Sequence, residues 1–317
     1  MATENSTPDT LLGAITYFDD IDVATMFVAN LRWPDGVTCP HCESKACAFV
    51  TSRRIWQCKG CRKQFSVKVG SIFEDSPIPL SKWLPAMWML VNCKNGVSSY
   101  EIARAVGVTQ KSAWHMLHRV RLAMQSRHGG KLGGDVDVDE TFIGGRARFM
   151  HKGKREKAIR GRGPTGKAAV MGLLERHPQK GKSRVRLEIV PNTRRHHLHA
   201  RVEQHVCDGA SVYTDALPSY DQLGLYYRHQ VIDHAEAYAE GEIHTNGLEN
   251  FWSLLKRTIK GTYVSVEAFH LFRYLDEQAR RFNERDLNDA ERFVRTMRSI
   301  IGRRLTWKQL TGKEVAA

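Results

Sequence analysis

The stretch DVDVDETFIGG, residues 135–145, alternates acid with valine and then stops at two glycines. Successive side chains of a strand point to opposite faces, so Asp135, Asp137 and Asp139 share one face and Val136, Val138 and Glu140 the other. Three acids on one strand face resist burial unless cations meet them. Further strands are predicted at Ala168–Leu174, Arg184–Val190, Val212–Thr214 and His229–Ile232, with helices near Arg194–Val206 and Thr245–Ile259. Strands with interposed helices, followed by a helical, Arg-rich stretch over 266–300, predict an α/β domain that starts near Gly133.

Two more acids extend this pattern. Asp215 ends the short strand Val212–Thr214, where Ala216-Leu217-Pro218 breaks the run. Glu249 lies in HTNGLENFWSLLKR, a helix whose apolar face reads Leu248, Phe251, Trp252, Leu255 and Ile259, with Trp252 as core. The other face carries Asn246, Glu249, Ser253 and Lys256. Asp139, Asp215 and Glu249 together suit two Mg²⁺ or Mn²⁺ ions, since hard cations prefer oxygen ligands, and Asp139 is the bridging candidate. An acid for metal and a lysine for phosphate, two turns apart on one helix, suit phosphoryl transfer.

Upstream, Cys39, Cys42, Cys58 and Cys61 form C-x2-C-x15-C-x2-C, which lets two tight knuckles offer four thiolates to one tetrahedral Zn²⁺. His41 or Cys47 is a less regular alternative ligand. A site filled by four protein ligands is structural. Short strands around the knuckles predict a zinc ribbon over 37–78, preceded by a lead-in over 1–36 with a helix in 18–31. Basic residues beside Trp56 and Phe65 offer the ribbon a grip on a phosphate backbone. From 79 to 128 the pattern turns helical, and Gly107-Val108 separates Ser99–Val106 from Thr109–Met124. This outline predicts a helix-turn-helix, with Thr109, Gln110, Lys111, Ser112 and His115 facing a DNA groove.

Composition is consistent with this. The 317 residues carry 48 Lys+Arg against 34 Asp+Glu, net +14, which favours a polyanionic partner. Between Arg146 and Arg201 lie 17 of the basic residues and only three acids, so the whole excess sits between Asp139 and Asp215. Lys152, Lys154 and Arg155 in that segment are candidates for holding DNA over the carboxylates. No run of 18 apolar residues exists to span a bilayer, which excludes a helical membrane protein. The start, MATENSTPDT, has no secretory pattern, and paired C-x-x-C knuckles point to a reducing cytoplasm.

RWPDGVTCPHC, WQCKGCRKQFSVKVGSIFEDS, VDVDETFIGG, VYTDALPSYD, HTNGLENFWSLLKRTIKGTY and HLFRYLDEQARRFN together resemble the bacterial insertion-sequence transposases. These have an N-terminal zinc ribbon and an RNase H-like domain carrying a DDE triad. The resemblance implies an α+β multidomain chain: ribbon, helix-turn-helix over 79–128, RNase H-like α/β catalytic domain over 133–285 and a helical tail over 286–317. It matches Asp139 to the acid of V-D-E-T, Asp215 to that of Y-T-D, and Glu249 with Lys256 to the E-x6-K helix. The 33 residues between Asp215 and Glu249 are similar to the family's second interval. Relatives can place Asn at the third site, and Asn246 sits one turn before Glu249. The position two residues after Tyr263, where the family's pattern suggests His, is Ser265. The resemblance implies binding of double-stranded transposon ends and target DNA near the nucleoid, as a homo-oligomer. The rival expectations are a non-enzymatic DNA-binding regulator derived from a transposase, and a nuclease without strand transfer.

Overall fold

The computed structural model describes residues 7–126, 130–144, 151–153, 156, 166–179, 181–232 and 246–313. It divides into two compact units, one of residues 1–125 with 287–317, the other of residues 126–286.

In the first unit, α1 (Leu11–Asp19) is capped by the Thr10 hydroxyl and α2 (Ile21–Arg32) by the Asp20 carboxylate. The sequence pattern predicts only one helix here. Leu11, Leu12 and Ile15 are exposed while Ala14 and Phe18 are buried, so the apolar periodicity of α1 gives little sign of its inner face. Strands β1 (Cys47–Val50), β2 (Ile55–Cys58) and β3 (Gln64–Phe65) form an antiparallel ribbon in which Cys47 faces Cys58 and Trp56 faces Phe65. Helix α3 (Leu80–Asn92) buries Trp83, Leu84, Met87 and Trp88 at the centre of the unit.

Next comes α4 (Ser99–Val106), which starts in a capping box: the Ser98 hydroxyl accepts from the Glu101 N–H while the Glu101 carboxylate accepts from the Ser98 N–H. It ends at Gly107, whose φ of 64° is the left-handed conformation glycine adopts without a Cβ penalty. Thr109 then caps α5 (Gln110–Met124). The tail returns to this same unit as α9 (Asp289–Arg298) and α10 (Trp307–Leu310). Phe293 is fully buried there, 5.0 Å from Trp88 and 5.7 Å from Phe18 between ring centroids. Lead-in, ribbon, helices and tail therefore share one hydrophobic core.

The second unit is a five-stranded sheet in the order β6-β5-β4-β7-β8. Its strands are β4 (Asp135–Ile143), β5 (Ala168–Glu175), β6 (Arg184–Val190), β7 (Ser211–Thr214) and β8 (Arg228–Val231). The first three pair antiparallel, while β7 and β8 run parallel to β4. One face packs Val136, Val138 and Met171 on Leu198 and Val202 of α6 (Arg195–His205). The other packs Val170 and Leu174 on α7 (Asn246–Gly261) and α8 (Ala268–Asn283). Each face is thus covered by a helix, and polar groups near the sheet's centre must find partners within it.

Candidate metal centre and carboxylate site

The four ribbon cysteines come together as expected. Their sulfurs all lie within 4.8 Å of one another, with Cys39 Sγ 3.7 Å from Cys61 Sγ and Cys42 Sγ 3.5 Å from Cys58 Sγ. Zn–S bonds of about 2.3 Å give a tetrahedron with edges of about 3.8 Å, so these thiols suit Zn²⁺. The two knuckles are alike: Glu43 and Arg62, each one residue past a knuckle's second cysteine, have φ of 60° and 61°. The Cys61 N–H, aimed at Cys58 Sγ, draws that thiol down to about 6, toward the thiolate a metal needs.

The ribbon's aromatics take a different role from the one expected. Trp56 and Phe65 are buried in the unit's core, so they support the fold and do not line a phosphate grip. Lys68 spends its ammonium on the carbonyls of Ser76 and Ile78, and Arg54 pairs with Asp22. Much of the front of α5 is likewise engaged within the protein. Gln110 donates to Ser99 Oγ, His115 Nε2 lies 3.1 Å from the Leu305 carbonyl, and the Lys111 ammonium sits 4.7 Å from the centre of the Trp307 ring.

In the second unit β4 pairs with β7 in parallel, Asp135 with Ser211 and Asp137 with Tyr213. Continuing that register two residues puts Asp215, just past the end of β7, alongside Asp139. Asp215 is half-buried and its Oδ1 accepts the Leu217 N–H at 3.2 Å. Asp139 accepts the Trp252 indole N–H on Oδ2 at 2.8 Å and the Glu140 N–H on Oδ1 at 2.7 Å. Burial pushes its carboxyl up against these two donors, and the charges of Asp215 and Glu249 push it further. Glu249 stands on the exposed side of α7, three residues before Trp252. The bond that holds Trp252 to Asp139 therefore also fixes the helix that carries Glu249.

Sequence reasoning missed four neighbours of this group. Trp252 is core, at 4% exposure, but it is also a hydrogen-bond donor to the first acid. Gly172 lies opposite Asp139 in β5, and a Cβ there would fall 2.6 Å from Trp252 Cζ2. Asp137 does not need a metal: it is fully buried and its Oδ1 lies 2.6 Å from Arg176 Nη2, whose guanidinium also covers the Tyr213 ring at 4.3 Å. Glu140 has Oε1 shut off from solvent with no hydrogen-bond partner, and its carboxyl is pushed up to about 8 by burial, then by Asp139 and Asp215. The alternation of residues 135–140 could have flagged Glu140, since it shares its face with two core valines.

Lys256 lies two turns beyond Glu249, beside a cavity. Lys152 is exposed. Lys154 and Arg155 lie outside the described residues, as does the side chain of Asn246, which opens α7. No described helix is long and apolar enough to cross a membrane.

Residues 131–283 match the family model of the ISXO2-like transposase domain, and residues 22–64 that of the transposase zinc-ribbon domain. An uncharacterized protein in transposable element ISH50 of Halobacterium salinarum is 27% identical over 253 residues, covering 74% of this chain and 81% of that protein. An uncharacterized transposase-like protein of Haemophilus influenzae is 32% identical over 107 residues, 33% of this chain and 86% of the relative. With both domain types present in one chain, and relatives of that description, the chain belongs to the insertion-sequence transposase family that joins a zinc ribbon to an ISXO2-like transposase domain.

Proposed function

We propose that the chain binds the terminal inverted repeats of its own insertion sequence and catalyses metal-dependent DNA cleavage and strand transfer with Asp139, Asp215 and Glu249. The observation that carries this reading is geometric: β4 runs parallel to β7 in a register that continues to Asp139 and Asp215, and the Trp252 indole bond to Asp139 ties the helix that carries Glu249 to the same strand. Such a group, all oxygen donors, suits Mg²⁺ or Mn²⁺. When bound, a pair of these ions supplies Lewis-acid stabilisation of an in-line displacement at a phosphodiester. The protein's own groups orient the ligands. Trp252 fixes the direction of Asp139 Oδ2 and the Leu217 N–H that of Asp215 Oδ1, and Glu249 would add a third carboxylate from α7. Lys256 offers an ammonium to the strand's phosphates.

The sheet order, three antiparallel strands continued by two parallel ones, supports an RNase H-like domain. Helices α4 and α5, joined at Gly107, support a helix-turn-helix that engages the repeats, with Lys111 at its front. Lys152, with Lys154 and Arg155, would clamp the strand above the acids, and two copies of the chain would pair two element ends.

The test is Mg²⁺-dependent nicking and joining of a duplex carrying the inverted repeat that flanks the reading frame. Asp139→Asn and Asp215→Asn should each lower cleavage more than about 100-fold, beyond what losing an outer-shell partner of a metal costs, while sparing end binding; retained turnover overturns the assignment. Comparing Glu249→Gln with Asn246→Ala identifies the third ligand. Tight binding without cleavage by the unaltered protein would favour the regulator, and cut ends that never join a target plasmid the simple nuclease. Charge reversal at Lys152, Lys154 and Arg155 should flatten the salt dependence of binding, by about 0.9 in slope for each phosphate that is no longer neutralised.

A further inference from the structure

The outer face of the zinc ribbon carries a row of hydrogen-bonded side chains whose direction is fixed. Ala48, Gln57 and Gln64 face one another across β1, β2 and β3, while Phe49, Trp56 and Phe65 make up the opposite face. Trp56 and Phe65 are buried, so the glutamine face is the one turned to solvent: Ala48 and Gln64 are exposed and Gln57 is half-buried. On this face Arg53 Nη1 donates to Gln64 Oε1 at 3.0 Å, Gln64 Nε2 donates to Gln57 Oε1 at 2.8 Å, and Gln57 Nε2 donates to the Arg62 carbonyl. A guanidinium only donates and a carbonyl only accepts, so neither amide can flip without breaking the row. Each amide keeps one N–H and one oxygen lone pair outside it. The surroundings are strongly basic. From Ser44 to Phe73 there are seven Lys and Arg and no acid. Arg54 is paired with Asp22 and Lys68 with two carbonyls, but Lys45, Arg53, Lys59, Arg62 and Lys63 are exposed. Helix α5, by contrast, can offer a DNA groove little beyond its first turn, because Met116, Leu117, Arg119, Val120, Arg121 and Met124 are all buried.

From these observations we infer that Gln57 and Gln64 read base edges in the major groove of the element end, each giving its remaining N–H to an adenine N7 and its remaining lone pair to the N6 amino group. The inference rests on the transposase reading above and deepens it by naming the residues that set sequence preference. Carboxamides meet adenine in this bidentate way, and the major groove of B-DNA, about 12 Å wide, admits a β-ribbon. Strands about 4.8 Å apart place both glutamines within that width. Facing residues of an antiparallel pair have Cβ atoms about 4.5–5.5 Å apart, against about 3.4 Å between successive nucleotides of a strand. The two amides would therefore reach neighbouring base pairs. Ala48, opposite Gln57, adds no long side chain to obstruct the approach. Arg53 holds Gln64 in place with one N–H and has others for a flanking phosphate.

The full-length zinc-loaded protein, without Mg²⁺, can be titrated by fluorescence anisotropy against a fluorescein-labelled duplex of the element end and a duplex of the same composition in scrambled order. Gln64→Ala and Gln57→Met should each lower affinity for the element end at least about fivefold and change that for the scrambled duplex less than about twofold, with zinc content unchanged. Element-end duplexes in which single adenines are replaced by 7-deazaadenine, which lacks the N7 acceptor, test the contact itself. The intact protein should lose at least about fivefold in affinity at adenines of two neighbouring base pairs, and Gln64→Ala should be indifferent to one of them. A preference for the element end that both variants keep, equal losses on both duplexes, or no sensitive adenine in the intact protein would overturn the inference while leaving the DNA reading standing. An intact protein that binds the two duplexes equally would bring down the recognition of the repeats as well.

Discussion

The indole N–H of Trp252 reaches Asp139 Oδ2 at 2.8 Å because Gly172, opposite Asp139 in the neighbouring strand, leaves the space for the ring. A Cβ at Gly172 would stand 2.6 Å from Trp252 Cζ2 and 3.0 Å from Leu248 Cδ2. Gly172→Ala should therefore force α7 outward, cost about 1–3 kcal/mol of stability as overpacking, and impair cleavage by moving Glu249. Trp252→Phe separates the two effects. It keeps most of the ring's packing but removes the donor, so cleavage should fall with a smaller loss of thermal stability. An unchanged melting temperature for Gly172→Ala would mean that Trp252 is not held as described.

Removal of zinc should be felt well outside the ribbon. Cys39, Cys58, Trp56 and Phe65 belong to the same core as Trp88 and Phe293. A structural zinc contributes on the order of 10 kcal/mol to small zinc domains, so Cys58→Ser should abolish stoichiometric zinc and expose Trp56. Metal analysis and a red shift in tryptophan emission measure these directly. One zinc per chain retained in Cys58→Ser would contradict the four-thiolate site.

How legible this was in the sequence differs with the range of the interaction. Strand β4 and the Gly107 break between two helices are local signals, and the structure carries both. The cysteine knuckles are equally local. Helix α1 is hidden in the sequence because its exposed leucines disguise the buried side. The return of Phe293 to the core around Trp88 is hidden because nothing near residue 293 encodes a partner two hundred residues earlier. Arg176 reads in sequence as one of many charges in a basic segment, whereas it neutralises Asp137 within the sheet. Its role depends on β4 and β5 being adjacent.

The Asp137–Arg176 pair should behave as a buried ion pair that is costly to break and cheap to replace. Asp137 Oδ2 lies 3.7 Å from the point a Cβ on Gly247 would occupy, so the same carboxylate sits beside the first turn of α7. Arg176→Met alone leaves the Asp137 charge buried, a loss of about 3–5 kcal/mol, whereas Asp137→Asn leaves a guanidinium that is 18% exposed and costs less. The double substitution should recover part of it. Denaturant unfolding of the two single variants and the double variant measures the coupling, and purely additive losses would show that the two groups act separately.

Glu140 gives the protein a pH dependence with a definite sign. Its carboxyl is pushed up to about 8, chiefly by burial, so the folded protein holds this proton more tightly than the unfolded chain, whose glutamates titrate near about 4.3. The stability this contributes is complete below the unfolded value and is lost as pH rises toward 8, with a slope of at most about 1.4 kcal/mol per pH unit for one proton. Without Mg²⁺, unfolding midpoints should therefore fall between pH 5 and pH 8. Glu140→Gln should flatten that fall, raising stability at pH 8 with little change at pH 4.5. Added Mg²⁺ should have the same direction of effect at pH 8 in the unaltered protein, since a cation near Asp139 and Asp215 offsets the charges that hold Glu140 protonated. Parallel pH profiles for the unaltered protein and Glu140→Gln would show that this carboxyl ionises freely in the folded state.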